Sequence, residues 1–316
     1  PGTDPNGYAT DSNGMDPDGG MRPRRESRGF AAGNTSSSGP GDTQGSITTA
    51  DGRTRTYVIH VPAGYDANKT YPLVLLFHGG YGSGARFLSS TQFAAKADRE
   101  GFIVVAPDGI DRHWNDGKAA NPTVDDVGFV RQLIKTLRSR FAVDPKRIYA
   151  AGLSNGGEFT ERLGCELSDT LAAIGTASGP IAANLLSFCK AGPIAVVGIQ
   201  GTADPLTPLN GGEAGGGYAM AKGGLAASAA QTMKLWATVN GCNQAPKVTN
   251  IPPSVNDGTR VAKYDYPACA AGTNVVYYIV QGMGHGWPPK EGALAAGGPT
   301  SHNINATDVM WNFFNE

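Results

Sequence analysis

The sequence predicts an α/β protein, a mostly parallel β-sheet covered by helices on both faces. Two observations carry this. Short, nearly all-apolar runs recur along the chain, at residues 56–61, 73–77, 102–106, 148–152, 172–177, 194–199 and 275–280. Helical patterns lie between several of them, and strands that are apolar on both sides while alternating with helices belong to a parallel sheet buried on both faces. With 316 residues the chain is long enough for one large domain of this kind. No apolar run approaches the roughly 18 residues that would span a bilayer.

In chain order, residues 1–45 come first. They are built from Gly, Pro, Ser, Thr, Asn and Asp with scarcely an aliphatic side chain to bury, and are expected to form a flexible tail. Within them recur Asp4-Pro-Asn-Gly, Asp11-Ser-Asn-Gly and Asp16-Pro-Asp-Gly. Such units can offer oxygen ligands to calcium, but their spacing is irregular and no closing Glu follows. A solvated spacer beside a surface anchor or another module is the simpler reading, and no metal site is expected. From residue 46 to 316 the alternation of strands and helices is regular and reads as one domain. Residues 87–99 and 126–140 are the first helical patterns. The second sets Val127, Val130, Ile134 and Leu137 on one face, with Asp126 placed to cap it. Residues 225–239 and 306–314 also read as helices, and the Gly-rich stretch 210–224 as a flexible loop.

A formal net charge of −1 and a pI near 6.6 provide no field that would gather nucleic acid or anionic lipid. Four cysteines, Cys165, Cys189, Cys242 and Cys269, all fall in the C-terminal half. Four allow three pairings. The local pairing, Cys165 with Cys189 and Cys242 with Cys269, closes the shorter loops and is preferred, and it would favour an exported protein. Four buried thiols in a cytosolic enzyme is the alternative.

The sharpest chemical signal is Ile148-Tyr-Ala-Ala-Gly-Leu-Ser-Asn-Gly-Gly, a strand running into Gly152-Leu153-Ser154-Asn155-Gly156. Gly-x-Ser-x-Gly between a strand and a helix is the nucleophile elbow of α/β-hydrolases: glycines keep neighbouring Cβ atoms away from a sharp turn that lifts the serine hydroxyl above the sheet. The pattern also arises by chance in glycine-rich chains, so its partners matter. A serine needs a base, and the base an orienting carboxylate. The strand at 194–199 runs into Gly201-Thr-Ala-Asp204, and the strand at 275–280 into Gly282-Met-Gly-His285. Each places its residue just past a strand end, where the sites of open α/β sheets form. Asp204 could instead open a turn with Pro205, and His285 could be a surface histidine. The joint order Ser154, Asp204, His285 favours a triad. Leu73-Val-Leu-Leu-Phe-His78-Gly79-Gly80-Tyr81 supplies a glycine loop after an early strand, so the N–H groups of Gly80 and Asn155 are the expected oxyanion donors, with Tyr81 as a substitute for Gly80 and His78 as a brace of the loop. Tyr81, Trp114 and Trp287 are candidate walls of the substrate pocket; for the two tryptophans packing between loops is an equal alternative.

These segments together resemble the poly(3-hydroxybutyrate) depolymerase and feruloyl esterase group of secreted α/β-hydrolases, which includes acetylxylan esterases. The resemblance rests on Phe77-His-Gly-Gly, Gly101-Phe-Ile-Val-Val-Ala-Pro-Asp-Gly109, Trp114-Asn-Asp-Gly117, Val124-Asp-Asp-Val-Gly-Phe129, Gly152-Leu-Ser-Asn-Gly-Gly157, Gly201-Thr-Ala-Asp204 and Gly284-His-Gly-Trp-Pro288, in order across residues 50–316. It implies Ser154 as nucleophile, Asp204 as orienting acid, His285 as base, export from the cell and no cofactor. The expected activity is hydrolysis of carboxylic esters, with feruloyl or acetyl esters of plant cell-wall polysaccharide ahead of solid polyester. A catalytically silent carbohydrate- or polymer-binding protein, and a peptidase or acyltransferase on the same fold, are the competing classes.

Overall fold

The computed structural model describes residues 39–118, 123–214, 224–243, 245–290 and 297–316. The expected tail up to residue 38, with its Asp/Asn/Gly units, and residues 215–223 of the expected Gly-rich loop lie outside the described residues. The strands are β1 (Gly41–Thr48), β2 (Thr54–Val61), β3 (Tyr71–Phe77), β4 (Ile103–Pro107), β5 (Val143–Leu153), β6 (Ala173–Ala177), β7 (Ala195–Gly201), β8 (Gly212–Glu213), β9 (Leu225–Ala226), β10 (Lys247–Ile251), β11 (Arg260–Tyr266) and β12 (Val275–Gln281). All but β8 and β9, which form a separate hairpin, join one sheet in the order β1-β2-β4-β3-β5-β6-β7-β12-β11-β10. From β4 to β12 the pairings are parallel. At each margin two strands are added antiparallel.

The central strands are apolar throughout because both of their faces are covered. In β3 every residue is buried. Leu73, Leu75 and Phe77 pack into one core, Val74 and Leu76 into the other, as the period-two alternation of a strand requires. Helices α3 (Asp126–Arg140), α4 (Asn155–Glu166) and α5 (Ala229–Val239) cover the first face. Helices α1 (Gly84–Thr91), α2 (Phe93–Glu100) and α6 (Ala306–Phe314) cover the second.

Four details depart from the sequence reading. Residues 41–45, assigned there to the tail, belong to β1 and pair with β2, Gly45 opposite Tyr57. The helix expected over 87–99 is two helices, broken where Gln92 takes a left-handed φ of 62°. The helix expected from residue 225 starts at Ala229, where Ser228 and Gln231 form a capping box, while Leu225 and Ala226 form β9. Asp125, not Asp126, caps α3, accepting from Gly128 N–H at 2.8 Å. Asp126 is turned inward, 2.7 Å from the Arg55 guanidinium. The two disulfides pair as expected: Cys165–Cys189 ties the end of α4 to the segment before β7, and Cys242–Cys269 ties the segment after α5 to that before β12.

Candidate active site

Ser154 stands where β5 turns into α4, with φ 55° and ψ −129°. A residue with a side chain is strained there, and the glycines around it show what the turn demands. A Cβ on Gly152 would collide with the Gly156 carbonyl, and one on Gly156 with the carbonyls of Phe77 and His78. The elbow is pinned to the neighbouring strand by Ser154 N–H donating to Ala177 O at 3.0 Å. The first N–H groups of α4 have no partner within the helix and face the same rim.

Asp204 and His285 meet at that rim. Asp204 follows β7 and His285 follows β12, and His285 Nδ1 lies 2.9 Å from Asp204 Oδ2 and 3.1 Å from Oδ1. The carboxylate is held from every side: the N–H groups of Leu206 and Thr207 donate to Oδ1 at 2.9 Å each, the Thr207 hydroxyl to Oδ2 at 2.8 Å and Gln200 Nε2 to Oδ2 at 3.3 Å. Burial works to raise the Asp204 carboxyl, but the contacts from His285 and Thr207 outweigh it and hold the group below its ordinary range. It therefore stays an anion able to fix His285 with its proton on Nδ1, leaving Nε2 free to take one. Residue 178 couples the parts: Ser178 Oγ accepts from Gly286 N–H at 3.3 Å, and its carbonyl, 2.9 Å from the Thr207 hydroxyl, competes with Asp204 Oδ2 for that single proton.

The glycine loop after β3 closes over the elbow. A methyl group on Gly79 would lie 3.3 Å from Ser154 Cβ, and one on Gly80 would lie 3.0 Å from His113 Nε2 and 3.9 Å from Asn155 Cβ. Gly80 and Asn155 are thus brought together beside Ser154. His78 is a brace: its Nδ1 faces Gly79 O at 2.8 Å and its Nε2 accepts from Gly109 N–H at 3.0 Å, and burial depresses its pKa, which keeps it neutral.

Three expectations for this region are corrected. Tyr81 N–H donates to Arg112 O at 2.9 Å, so it is not a spare oxyanion donor. Trp114 has no exposed surface: its indole stacks on Phe159 at 5.2 Å and meets Phe77 edge-on. Trp287 is 4% exposed, packs against Phe87 and Phe93 and donates its N–H to Thr307 Oγ1 at 3.0 Å. Both tryptophans are core residues packed against other rings. Tyr81 is different. It is 41% exposed, its ring edge-on to His113 with 4.4 Å between centroids, and it remains the candidate substrate contact. The sequence reading did not anticipate Gln200, Thr207 or Ser178. Only the position of Thr207, three residues after the acid and able to close a turn on it, offered a hint.

With this geometry in place, the relatives are informative. The profile of the family described as Esterase PHB depolymerase matches residues 55–211. A protein named "Probable feruloyl esterase C" from Aspergillus clavatus is 30% identical over 267 residues, 82% of this chain and 83% of its own. The chain belongs to the PHB depolymerase and feruloyl esterase family. Within this family, feruloyl esterase B of Piromyces equi is 33% identical over 238 residues, 73% of this chain, and the alignment spans only 42% of that longer protein. Among solved structures, the acetyl xylan esterase from Aspergillus awamori shares the fold, with a TM-score of 0.59 at 14% identity over 86% of this chain and 99% of its own.

Proposed function

We propose that this family member is an extracellular serine carboxylic-ester hydrolase acting on feruloyl or acetyl esters of plant cell-wall polysaccharide. The observation that carries the reading is the Asp204 carboxylate clasping His285 Nδ1 at 2.9 Å on the rim where Ser154 occupies its strained turn. His285 takes the Ser154 proton as Oγ attacks the ester carbonyl, and Asp204 stabilises the imidazolium. The oxygen that gains the electron pair is met by Gly80 and Asn155 N–H. Collapse breaks the bond to the alcohol, which leaves with the proton from His285. Water, deprotonated by the same histidine, then releases the acid and restores Ser154. Two disulfides and the family support an extracellular setting. Residues 1–38 are proposed as a spacer ahead of the catalytic domain.

The substrate is supported by the names of the relatives above. A second reading, cleavage of poly(3-hydroxybutyrate), is favoured by the family profile over residues 55–211. Assays on methyl ferulate, acetylated xylan and a polyhydroxybutyrate film decide between them, and film clearing faster than soluble-ester turnover would make the second reading primary. Ser154→Ala is expected to lower ester turnover by at least about 10⁴-fold with the melting temperature preserved. Residual turnover above about one per cent would assign the nucleophile elsewhere.

A further inference from the structure

The two expected oxyanion donors come from different parts of the chain, Gly80 from the loop after β3 and Asn155 from the start of α4. One buried residue, Trp114, bonds both segments: the backbone of the loop after β3 and the side chain of Asn155 at the start of α4. Trp114 Nε1 donates to His78 O at 3.0 Å, two residues before Gly80. On the other side Trp114 N–H donates to Asn155 Oδ1 at 2.8 Å, and Asn155 Nδ2 donates back to Trp114 O at 3.0 Å. The second hydrogen of that amide goes to Asp116 Oδ2 at 2.7 Å. All three polar sites of the Asn155 side chain that bond most strongly are thereby used, and the residue has no rotamer freedom left. The indole plane lies within 4° of the Phe159 ring, one turn along α4 from Asn155, and edge-on to Phe77, the residue before His78. Asp116 is itself fixed: its Oδ1 accepts from Lys118 N–H at 2.9 Å, and Lys118 Nζ bonds Glu158 on the same helix at 2.5 Å.

We propose that Trp114, with the side chain of Asn155, is a clamp that sets the spacing of the Gly80 and Asn155 N–H groups, so that it acts as a positioning device for the oxyanion hole. This inference rests on the serine-hydrolase reading above. Ground-state esters place a neutral carbonyl in the hole and gain little from tight spacing. The negatively charged oxygen of the tetrahedral state gains most, so the clamp acts on kcat and hardly on KM.

The test uses the full chain, p-nitrophenyl acetate and an aryl trifluoromethyl ketone, whose carbonyl carbon bonds Ser154 Oγ while the Oγ proton passes to His285 and the oxygen becomes an anion. Trp114→Phe keeps an aromatic ring against Phe159 and removes the donor to His78 O together with part of the buried indole volume. It is expected to lower kcat about tenfold at nearly constant KM and to weaken the ketone by the same factor. Asn155→Ala keeps its backbone N–H, removes the other arm and is expected to cost about 100-fold, with the double variant no worse than the larger single change by more than about twofold. If Trp114→Phe does not fold, Asn155→Ala is read by the same criteria. Variants that melt earlier but keep kcat and ketone affinity within about twofold of the parent would reduce Trp114 to a packing residue and overturn the clamp alone. A parent chain that neither hydrolyses the ester nor binds the ketone would overturn the hydrolase reading and the clamp with it.

Discussion

On the face of the sheet covered by α1, α2 and α6 the enclosed contacts are mostly apolar, and the ion pairs of Lys96 with Glu100 and Asp308 reach carboxylates open to solvent. Phe102 stacks on Trp311 at 3.7 Å, Tyr149 on Phe314 at 4.8 Å, and Leu88, Phe93 and Met310 fill the space between. On the opposite face, under α3, α4 and α5, charges are enclosed among the side chains. Arg55 lies 2.7 Å from Asp126 and 4.1 Å from the centre of the Phe129 ring. Lys118 sits between Glu158 and Asp116 at 2.5 and 3.6 Å. Glu161, fully buried, accepts from Trp236 Nε1 at 2.5 Å and from the hydroxyls of Thr176 and Tyr277 at 3.1 and 3.2 Å. The difference follows from what each face has to hold. Helices satisfy their own backbone and need only an apolar stripe. Among its described residues the loop between β4 and α3 joins no strand of the sheet, yet Trp114, Asn115, Asp116 and Lys118 are all buried in it, so its polar groups need side-chain partners. The Arg55–Asp126 pair provides one, since Asp126 Oδ2 also accepts from Asn115 N–H at 2.7 Å. Apolar packing holds the fold on one face, and on the other buried charge fixes a loop at the candidate active site.

That contrast is most open to attack at Lys118. Lys118→Met leaves Glu158 and Asp116 enclosed without their cation, and a loss of about 3–5 kcal/mol in urea unfolding is expected, together with a large drop in turnover. Replacing Lys118 and Glu158 together by Met is expected to return most of the stability but not the turnover. Full recovery of both would mean that the charges specify nothing. On the apolar face Leu88→Ala is expected to cost about 3 kcal/mol for a cavity, with kcat/KM unchanged well below the melting temperature. A comparable loss of turnover there would erase the division between the faces. Glu161→Gln gives an effect of similar size that depends on pH. Burial lifts the Glu161 carboxyl to about 7 from an ordinary 4.5. The folded chain thus keeps a proton that the unfolded chain releases, so the stability this group contributes is full below pH 4.5 and lost as pH rises past 7. Relative to the parent, the Gln variant is expected to gain about 3 kcal/mol between pH 4.5 and 8. A pH-independent difference between the two would show that Glu161 ionises as in water. The mildest change is Tyr81→Ala, expected to raise KM a few-fold with the melting temperature unmoved, because the ring is exposed. Unchanged KM across the ester panel would remove Tyr81 from the substrate site.

How far the sequence carried these conclusions depended on the surroundings of each segment. The parallel strands read clearly because burial on both faces leaves a run such as Leu73-Val-Leu-Leu-Phe77 without a polar break. Strands β10 and β11 escaped notice because they lie at the margin, where Lys247-Val-Thr-Asn-Ile and Arg260-Val-Ala-Lys-Tyr-Asp-Tyr meet water and carry a mixed pattern. The start of α5 was legible in principle, since Ser228-Ala-Ala-Gln231 spells a capping box. At the site, Ser154, Asp204 and His285 stood out because each follows a strand end and their order is informative. The fate of Trp114 was not legible. A tryptophan in a loop reads the same whether its ring faces a ligand or Phe159, and only the fold decides which.

The outermost strands have a further consequence, for behaviour at high concentration. An open sheet ends in rows of backbone donors and acceptors that a second copy of the chain could extend. Here one border is β10, five residues long, opening on the charge of Lys247 and closed by Pro252 and Pro253, which cannot donate. The other is β1, entered directly from Pro40. The β10 border gives a neighbouring chain only a short row of partners that ends at a proline pair, which opposes edge-to-edge growth into fibrils from that side.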